Sequence, residues 1–114
     1  MISQALAQEV SQLEADLCFA LADPTRILIL YALDEQARNV TELTEELGAT
    51  QPTTSRHLKI LRERGLVNTI RQGTTITYQL ADKRLIQALD LLRSVLRDRI
   101  THNANLMEVI EANA

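Results

Sequence analysis

Apolar residues recur at intervals of three and four along the first part of the chain. The stripe consists of Leu6, Val10, Leu13, Leu17 and Ala20 or Leu21. This spacing places side chains on one face of an α-helix. We therefore expect a helix over residues 3–21 whose apolar face packs on a second copy of the chain or on the chain's own C-terminal helix.

A second helix is predicted to begin at Pro24, because Asp23 can cap it and proline is tolerated in a first helical turn. The segment from 27 to 33 is apolar around the whole circumference of the helix. Such a helix usually lies at the centre of a core. Arg26 lies in its first turn, and we expect it to form a surface ion pair with a nearby acidic residue.

Two helical patterns follow over residues 40–63, separated by a corner that contains Gly48. Thr41 is predicted to cap the first helix and Thr50 to cap the second, whose first turn holds Pro52. A short link with a glycine between two helices is typical of a helix-turn-helix. The sequence therefore predicts this motif over residues 40–63.

The second of these helices has one apolar face and one face suited to DNA. Leu58 and Leu61 are spaced to face a core. The opposite face carries Gln51, Thr53, Thr54, Arg56, Lys59 and Arg62. Short polar side chains near a helix N-terminus can reach base edges in the major groove, and cations further along can hold phosphates. The pattern therefore predicts a recognition helix.

Beyond this helix the apolar period changes from helical to alternating. Alternation on both sides of a polar turn, Arg71–Thr74, predicts a two-stranded hairpin over residues 66–80. A hairpin beside a recognition helix is called a wing. Arg71 and Gln72 near its tip would then lie close to DNA, where Arg71 could reach a phosphate or the minor groove.

The last pattern, over residues 82–114, predicts a long helix capped by Asp82. A second piece over residues 103–111 is either a continuation or a separate helix. The sequence leaves both open, because residues 82–114 contain no glycine or proline. The apolar stripe consists of Leu85, Leu89, Leu92, Leu96 and Ile100.

The distribution of charge along the chain changes this picture more than the net charge of −3. The length suggests a single domain, residues 1–114. Residues 1–50 have a net charge of −7, residues 51–73 have +4, and residues 74–114 are balanced. Because attraction to phosphate is local, the basic stretch is compatible with a nucleic-acid surface. A solvated helix face would look the same, so charge alone does not decide.

The sequence also argues against several kinds of site, location and function. Cys18 is the single cysteine, which excludes an internal disulfide and a zinc site built from several thiolates of one chain. No apolar run is long enough for export or a membrane anchor, so we expect a cytoplasmic protein without a membrane partner. There is no glycine-rich phosphate loop and no paired nucleophile and base, so we do not expect an enzyme.

In order, these elements predict a mainly α fold with a small β-hairpin: four helices, two strands and one or two further helices. Four motifs stand at characteristic spacing, namely Ala22–Leu30, Gln51–Arg62, Gly65–Val67 and the set Gly73, Tyr78 and Leu80. Through them, roughly residues 17–99 resemble the ArsR/SmtB family of bacterial repressors. The resemblance implies a dimeric winged helix-turn-helix with the helices of 1–21 and 82–114 at the dimer interface. It also implies repression of a nearby operon, relieved when an inducer acts on the dimer.

The usual metal ligands of that family are missing. The positions that match the thiolate motif of arsenic- and cadmium-type members hold Asn39, Thr41 and Thr44. The positions that match the zinc ligands of other members hold Asp82, Arg84, Val95 and Asp98. Both imidazoles are gone and Arg84 would repel a cation, so a metal or metalloid cofactor would have to bind elsewhere.

Four other residues are candidates for sensing or binding. Cys18 could meet its copy across a dimer and respond to soft metals or oxidants, although a buried apolar cysteine is the commoner case. Asp98 and His102 lie one helical turn apart, so two copies could supply four metal ligands. An exposed pair without metal is the simpler expectation. His57 is expected to pack in the interior or to contact a phosphate.

The sequence therefore predicts a homodimeric, sequence-specific DNA-binding repressor, which a metal, a metalloid or a thiol-directed redox signal could release from its operator. The residues expected to read bases are Gln51, Thr53, Thr54 and Arg56. The residues expected to hold phosphates are Lys59, Arg62 and Arg71. Two alternatives stay open: a winged-helix module that binds protein through its acidic first half, and a regulator that needs no ligand.

Overall fold

The structure is a computed structural model that describes residues 1–113. The chain divides into two compact units: Met1–Lys83, and a second unit that begins at Arg84. The first unit contains short helices and a small antiparallel sheet. The second unit is a single long helix.

The N-terminal helix changes type along its length. It consists of an α-helix, α1, over Gln4–Leu13, a π-helical turn over Glu14–Cys18 and a last α-helical turn, α2, over Phe19–Leu21. The predicted helix over residues 3–21 is therefore confirmed, except that its middle is widened. A π-helical turn is rare and is frequently found at functional sites.

The central helix, α3, spans Pro24–Glu35. Asp23 caps it as predicted, because its carboxylate accepts a hydrogen bond from a backbone N–H of the first turn at 2.8 Å. Ile29 and Leu30 are fully buried. Leu28, in contrast, is 56% exposed, so α3 forms the core on one side only and is not buried all around.

Two helices, α4 over Val40–Leu47 and α5 over Gln51–Glu63, follow next. Asn39 caps α4, not Thr41. The Asn39 side chain accepts a hydrogen bond from the Glu42 N–H at 2.9 Å, and the Glu42 carboxylate accepts one from the Asn39 N–H at 3.0 Å. This reciprocal capping box starts the helix two residues earlier than a Thr41 cap would.

The corner between α4 and α5 has the local structure that its residues predict. Gly48 ends α4 in the left-handed region, with φ of 63°, which glycine adopts without steric cost. The Thr50 hydroxyl caps α5. Leu43 of α4 and Leu58 and Leu61 of α5 are fully buried. The predicted helix-turn-helix is therefore confirmed.

The wing belongs to a three-stranded sheet. Strands β2, Val67–Gln72, and β3, Thr75–Leu80, form the predicted hairpin. A short strand, β1, at Arg38–Asn39 pairs antiparallel with the other edge of β3, so the strand order is β1-β3-β2. The prediction of a two-stranded hairpin alone was wrong, because it did not include β1. Two residues are too few to leave an alternating pattern in the sequence.

The last helix, α6, runs without interruption over Arg84–Ala112. The question that the sequence left open is therefore settled in favour of one helix, which begins at Arg84 and not directly after Asp82. Large apolar side chains such as Leu92, Leu96 and Ile100 are exposed along α6. Within residues 1–113, no helix combines the length and the apolar character needed to cross a membrane.

Candidate nucleic-acid interface

Helix α5 presents a polar face to solvent and an apolar face to the core. Its buried apolar residues are Leu58 and Leu61. Its exposed residues are Gln51, Pro52, Ser55, Arg56, Lys59, Arg62 and Glu63. The interior of the first unit therefore holds this helix with its hydrogen-bonding and cationic side chains directed outward, as a recognition helix requires.

Three of the four predicted base readers lie where they can meet a ligand. Gln51 and Arg56 are exposed, and Thr53 is half-buried in the first turn of α5. The Thr53 hydroxyl accepts a hydrogen bond from the Thr50 hydroxyl at 2.9 Å. Because a hydroxyl also carries a proton, Thr53 can still donate to a second partner.

The fourth predicted base reader, Thr54, is fully buried. Its hydroxyl donates to the carbonyl of Thr50 at 3.1 Å. The prediction that Thr54 reads bases was therefore wrong. The exposed residue beside it, Ser55, was missed, although it lies four residues after Gln51 and four before Lys59. That helical spacing was the signal that could have found it.

The predicted phosphate-binding cations of α5 are also exposed. Lys59 lies 4.0 Å from the Glu63 carboxylate, an exposed pair that holds the ammonium only weakly. A surface groove between α5 and β3 is lined by Ser55, Lys59, Arg62, Glu63 and Tyr78. The recognition helix and the wing strand thus share one open surface.

The tip of the wing carries a cation. Arg71 and Gln72 are exposed and form the end of β2. The turn itself is Gly73–Thr74, shorter than the predicted turn, and Gly73 has φ of 65°. A positive φ at this position is what a tight hairpin turn needs. Arg71 therefore projects from a strand near the tip.

Arg26 is a buried connector. Its Nε donates to the carbonyl of Ala20 at 2.7 Å and its Nη2 to the carbonyl of Phe19 at 3.1 Å. Its Nη1 lies 3.4 Å from Nδ1 of His57. The expected surface ion pair of Arg26 was wrong, because the side chain is only 8% exposed.

His57 is buried to the same degree as Arg26. Of the two expectations for this residue, packing in the interior is confirmed and a phosphate contact was wrong. His57 projects from α5 toward α3, away from the exposed face of the recognition helix. It therefore fixes the position of α5 and does not belong to the exposed interface.

Arg64 is the exception among the cations of the basic stretch. Its Nη1 donates to the carbonyl of Ala15 at 2.8 Å and lies 3.3 Å from a carboxylate oxygen of Asp16. Its guanidinium carbon lies 4.6 Å from the centre of the Phe19 ring. Arg64 is thus turned toward the N-terminal helix, so it adds less to a phosphate-binding surface than the charge count of the sequence implies.

The capping carboxylate of Asp23 has a perturbed pKa. Desolvation raises this pKa, but the Thr25 N–H, the charge of His57 and the N–H and charge of Arg26 lower it by more in total. The pKa of Asp23 therefore lies below its ordinary value, because the ionised form has more favourable partners in the folded chain.

The order of α3, helix-turn-helix and three-stranded sheet defines a winged helix-turn-helix. The sequence model that describes the family of bacterial regulatory proteins, arsR family, matches residues 23–69 of this chain. The chain belongs to this family, as the resemblance in its motifs predicted.

Two relatives from Mycobacterium tuberculosis (strain ATCC 25618 / H37Rv) illustrate the similarity. The chain is 42% identical to the HTH-type transcriptional repressor SmtB over 78 residues, which are 68% of this chain and 58% of SmtB. It is 42% identical to the HTH-type transcriptional regulator NmtR over 88 residues, which are 77% of this chain and 69% of NmtR. The chain thus spans somewhat more than half the length of SmtB.

A solved structure shows the same fold. The homodimeric winged helix-turn-helix DNA-binding domain Mb0332 of Mycobacterium bovis superimposes with a TM-score of 0.75 at 29% identity. The match covers 89% of this chain and 93% of that domain. The architecture of this chain is therefore that of a known winged helix-turn-helix domain.

The residues at the metal-binding positions of the family do not fit a metal. Asn39 uses its side-chain oxygen to cap α4, and Thr41 and Thr44 offer neutral hydroxyls where thiolates would be needed. Asp98 and His102 are both exposed on α6. Within residues 1–113, no three His, Cys, Asp or Glu side chains are grouped closely enough to hold a metal ion.

Cys18 lies in the π-helical turn and is exposed. The expectation of a buried apolar cysteine was therefore wrong. Its side chain is accessible to reagents, and the neighbouring residue Phe19 contacts both Arg26 and Arg64. Sequence alone could not show this, because the widened turn has no pattern of its own.

Proposed function

We propose that this chain is a sequence-specific DNA-binding transcriptional repressor that acts as a homodimer. The observation that carries the proposal is the division of α5 into two faces. Arg56, Lys59 and Arg62 are exposed on one face, and Leu58 and Leu61 are fully buried on the other. An exposed helix with polar groups at its start and cations further along matches the major groove in shape and charge.

Base reading is assigned to the N-terminal part of α5. Hydrogen-bonding side chains of different length stand there, namely those of Gln51, Thr53, Ser55 and Arg56. Arg56 is the strongest candidate for a specific contact, because a guanidinium can donate two hydrogen bonds to one guanine. Thr54 is left out, since it is fully buried.

Phosphate binding is assigned to Lys59 and Arg62 on α5 and to Arg71 on the wing, with Gln72 beside it. Phosphate contacts fix the register of a protein on the duplex but carry no sequence information. In a symmetric dimer, two such surfaces would meet half-sites about 34–36 Å apart, which is one turn of B-form DNA.

Self-association is supported by apolar side chains that face solvent. Helix α1 exposes Leu6, Val10 and Leu13. Helix α6 exposes a series that includes Leu92 and Leu96. Exposed apolar residues at helical spacing are typical of interaction surfaces, and a two-fold interface uses the same patch on both copies. We assign both helices to the dimer contact.

An inducer that releases the dimer from DNA is the remaining part of the proposal. The residues at the family's metal positions do not fit a metal, whereas the Cys18 thiol is exposed. The sequence predicts either a metal or metalloid, or a thiol-directed redox signal. Of these, the thiol-directed signal has the better candidate residue, Cys18.

The proposal is tested by measuring affinity for a duplex from the region upstream of the chain's own gene. A scrambled duplex of equal length serves as the reference. We expect a specific, salt-sensitive complex in which Arg56→Ala loses on the order of 1–3 kcal/mol of discrimination between the two duplexes. Lys83→Ala removes one exposed cation outside α5 and the wing and should leave the discrimination unchanged.

Two outcomes would contradict the proposal. An equal loss on both duplexes for Arg56→Ala would remove Arg56 from the base readers. A wild-type chain that forms no salt-sensitive specific complex would favour the alternative, a winged-helix module that binds protein.

A further inference from the structure

Two arginines join the N-terminal helix to the recognition helix. Arg64, directly after α5, reaches back to Ala15 and Asp16 in the π-helical turn. Arg26 holds the carbonyls of Phe19 and Ala20 and contacts His57 in the middle of α5. Helix α5 is therefore tied to residues 15–20 both near its middle and at its end.

The Phe19 ring lies between these two connections. Its centre is 4.6 Å from the guanidinium carbon of Arg64 and 5.8 Å from that of Arg26. Cations over an aromatic face are attracted by the ring. Phe19 is 47% exposed, so its ring does not fill the core and lies at the surface beside the two guanidinium groups.

The contact of Arg64 depends on the shape of the guanidinium as well as on its charge. The ion pair with Asp16 has side chains that are about one-third exposed, and solvent weakens such pairs. The guanidinium meets the Ala15 carbonyl, the Asp16 carboxylate and the Phe19 ring together, and its planar group with several fixed donors suits this arrangement better than a compact ammonium on a flexible stem. A lysine at this position would keep the charge and lose the geometry.

We infer that Arg64 is a positioning residue for DNA binding, which couples the π-helical turn of the N-terminal helix to the placement of α5. This inference rests on the proposed DNA binding. Hydrogen bonds to base edges tolerate only a few tenths of an ångström in donor–acceptor distance. A small displacement of the end of α5 therefore costs sequence discrimination, although Arg64 itself does not touch DNA.

The experiment is a double-mutant cycle of Arg64→Lys and Phe19→Leu, with affinity measured on the upstream and scrambled duplexes. Each single variant should lose on the order of tenfold in affinity for the upstream duplex, with little change for the scrambled one. The double variant should lose less than the sum of the two single losses, because both changes break the shared Arg64–Phe19 contact.

Arg38→Lys is the matched control. Like Arg64, Arg38 contacts one backbone carbonyl, that of Ala32, and carboxylates, those of Glu35 and Glu46. None of these partners lies in the N-terminal helix. The affinity of the Arg38→Lys variant for the upstream duplex should stay within about twofold of wild type. An equal loss in Arg38→Lys would identify general destabilisation and overturn the inference.

Arg64→Gln separates positioning from direct phosphate contact. A residue that holds a phosphate contributes about 0.9 to the slope of log affinity against log salt. We expect the slope of Arg64→Gln to equal that of wild type. A reduced slope, or single losses that simply add in the double variant, would overturn the inference. If the wild-type chain does not bind the upstream duplex, the proposed function is refuted together with this inference.

Discussion

The Nη1 atom of Arg26 in α3 lies 3.4 Å from Nδ1 of His57 in α5. The same guanidinium donates hydrogen bonds to the carbonyls of Phe19 and Ala20. One buried side chain thus connects the end of the N-terminal helix, the central helix and the recognition helix. The stability of the first unit should depend on it.

Arg26→Met tests this dependence, because methionine keeps an unbranched chain and removes every donor. The carbonyls of Phe19 and Ala20 would lose the Arg26 donor, although the Phe19 carbonyl keeps the Ala22 N–H as a donor. We expect the free energy of unfolding to fall by about 2–4 kcal/mol. Urea denaturation followed by circular dichroism measures the loss. Arg56→Met, on the exposed face of α5, is the control and should change stability by less than about 0.5 kcal/mol. Similar losses in both variants would contradict the connecting role of Arg26.

Thr54 and Ser55 are neighbours in sequence with opposite environments. Thr54→Val removes a buried hydroxyl that bonds only to the preceding turn and should leave the preference for the upstream duplex unchanged. Ser55→Ala removes an exposed hydroxyl from the proposed base-reading face and should reduce that preference by about 1 kcal/mol. Competition binding with the scrambled duplex measures both. The reverse order of effects would show that α5 meets DNA with another face.

Arg71 near the tip of the wing should act through charge alone. Arg71→Ala is expected to weaken binding to upstream and scrambled duplexes equally and to lower the salt slope by about 0.9. Fluorescence anisotropy at several salt concentrations measures the slope. Gln72→Ala, at the adjacent exposed position, should leave the slope intact. A change in sequence preference for Arg71→Ala would instead indicate that Arg71 reads a base step.

The elements that the sequence predicts well are those with local signals. Asp23 before Pro24 and Thr50 before Pro52 mark helix starts through side-chain caps and the fixed φ of proline. Gly48 marks the corner because glycine tolerates a positive φ. Each of these signals acts within a few residues, so no knowledge of the tertiary structure was needed to place α3, α4 and α5.

The errors arise where the structure depends on distant partners or on helix phase. The acceptors of Arg26 are backbone carbonyls, which every residue carries, so no pattern reveals them. Thr54 and Ser55 differ by one position, or about 100° around a helix, and the polar character of both hid which one is buried. Strand β1 exists only because β3 offers it an edge.

The lowered pKa of Asp23 predicts a pH dependence of stability. A carboxyl group with a lower pKa in the folded chain stabilises it above the unfolded pKa, and this contribution is lost as the pH falls through the folded pKa. The ordinary value is 3.8, so the contribution should be complete near neutral pH and decline in more acidic solution. Asp23→Asn keeps a capping oxygen but cannot ionise.

The measurement compares the melting temperatures of wild type and Asp23→Asn across the acid range. All other carboxyl groups titrate in both proteins, so the difference isolates Asp23. We expect wild type to be the more stable protein near neutral pH and the difference to shrink below about pH 4. A difference that stays constant with pH would show that the ionised carboxylate gains nothing from its partners.

Cys18 should react in the folded chain, because its thiol is exposed. A disulfide reagent should modify it without denaturant and should leave Cys18→Ser unmodified. Modification adds bulk to the π-helical turn directly before Phe19, whose ring contacts Arg64. If a thiol-directed signal acts through this residue, peroxide or a mixed disulfide lowers affinity for the upstream duplex in wild type. An equal response of Cys18→Ser to every such agent would exclude Cys18 as the sensing residue.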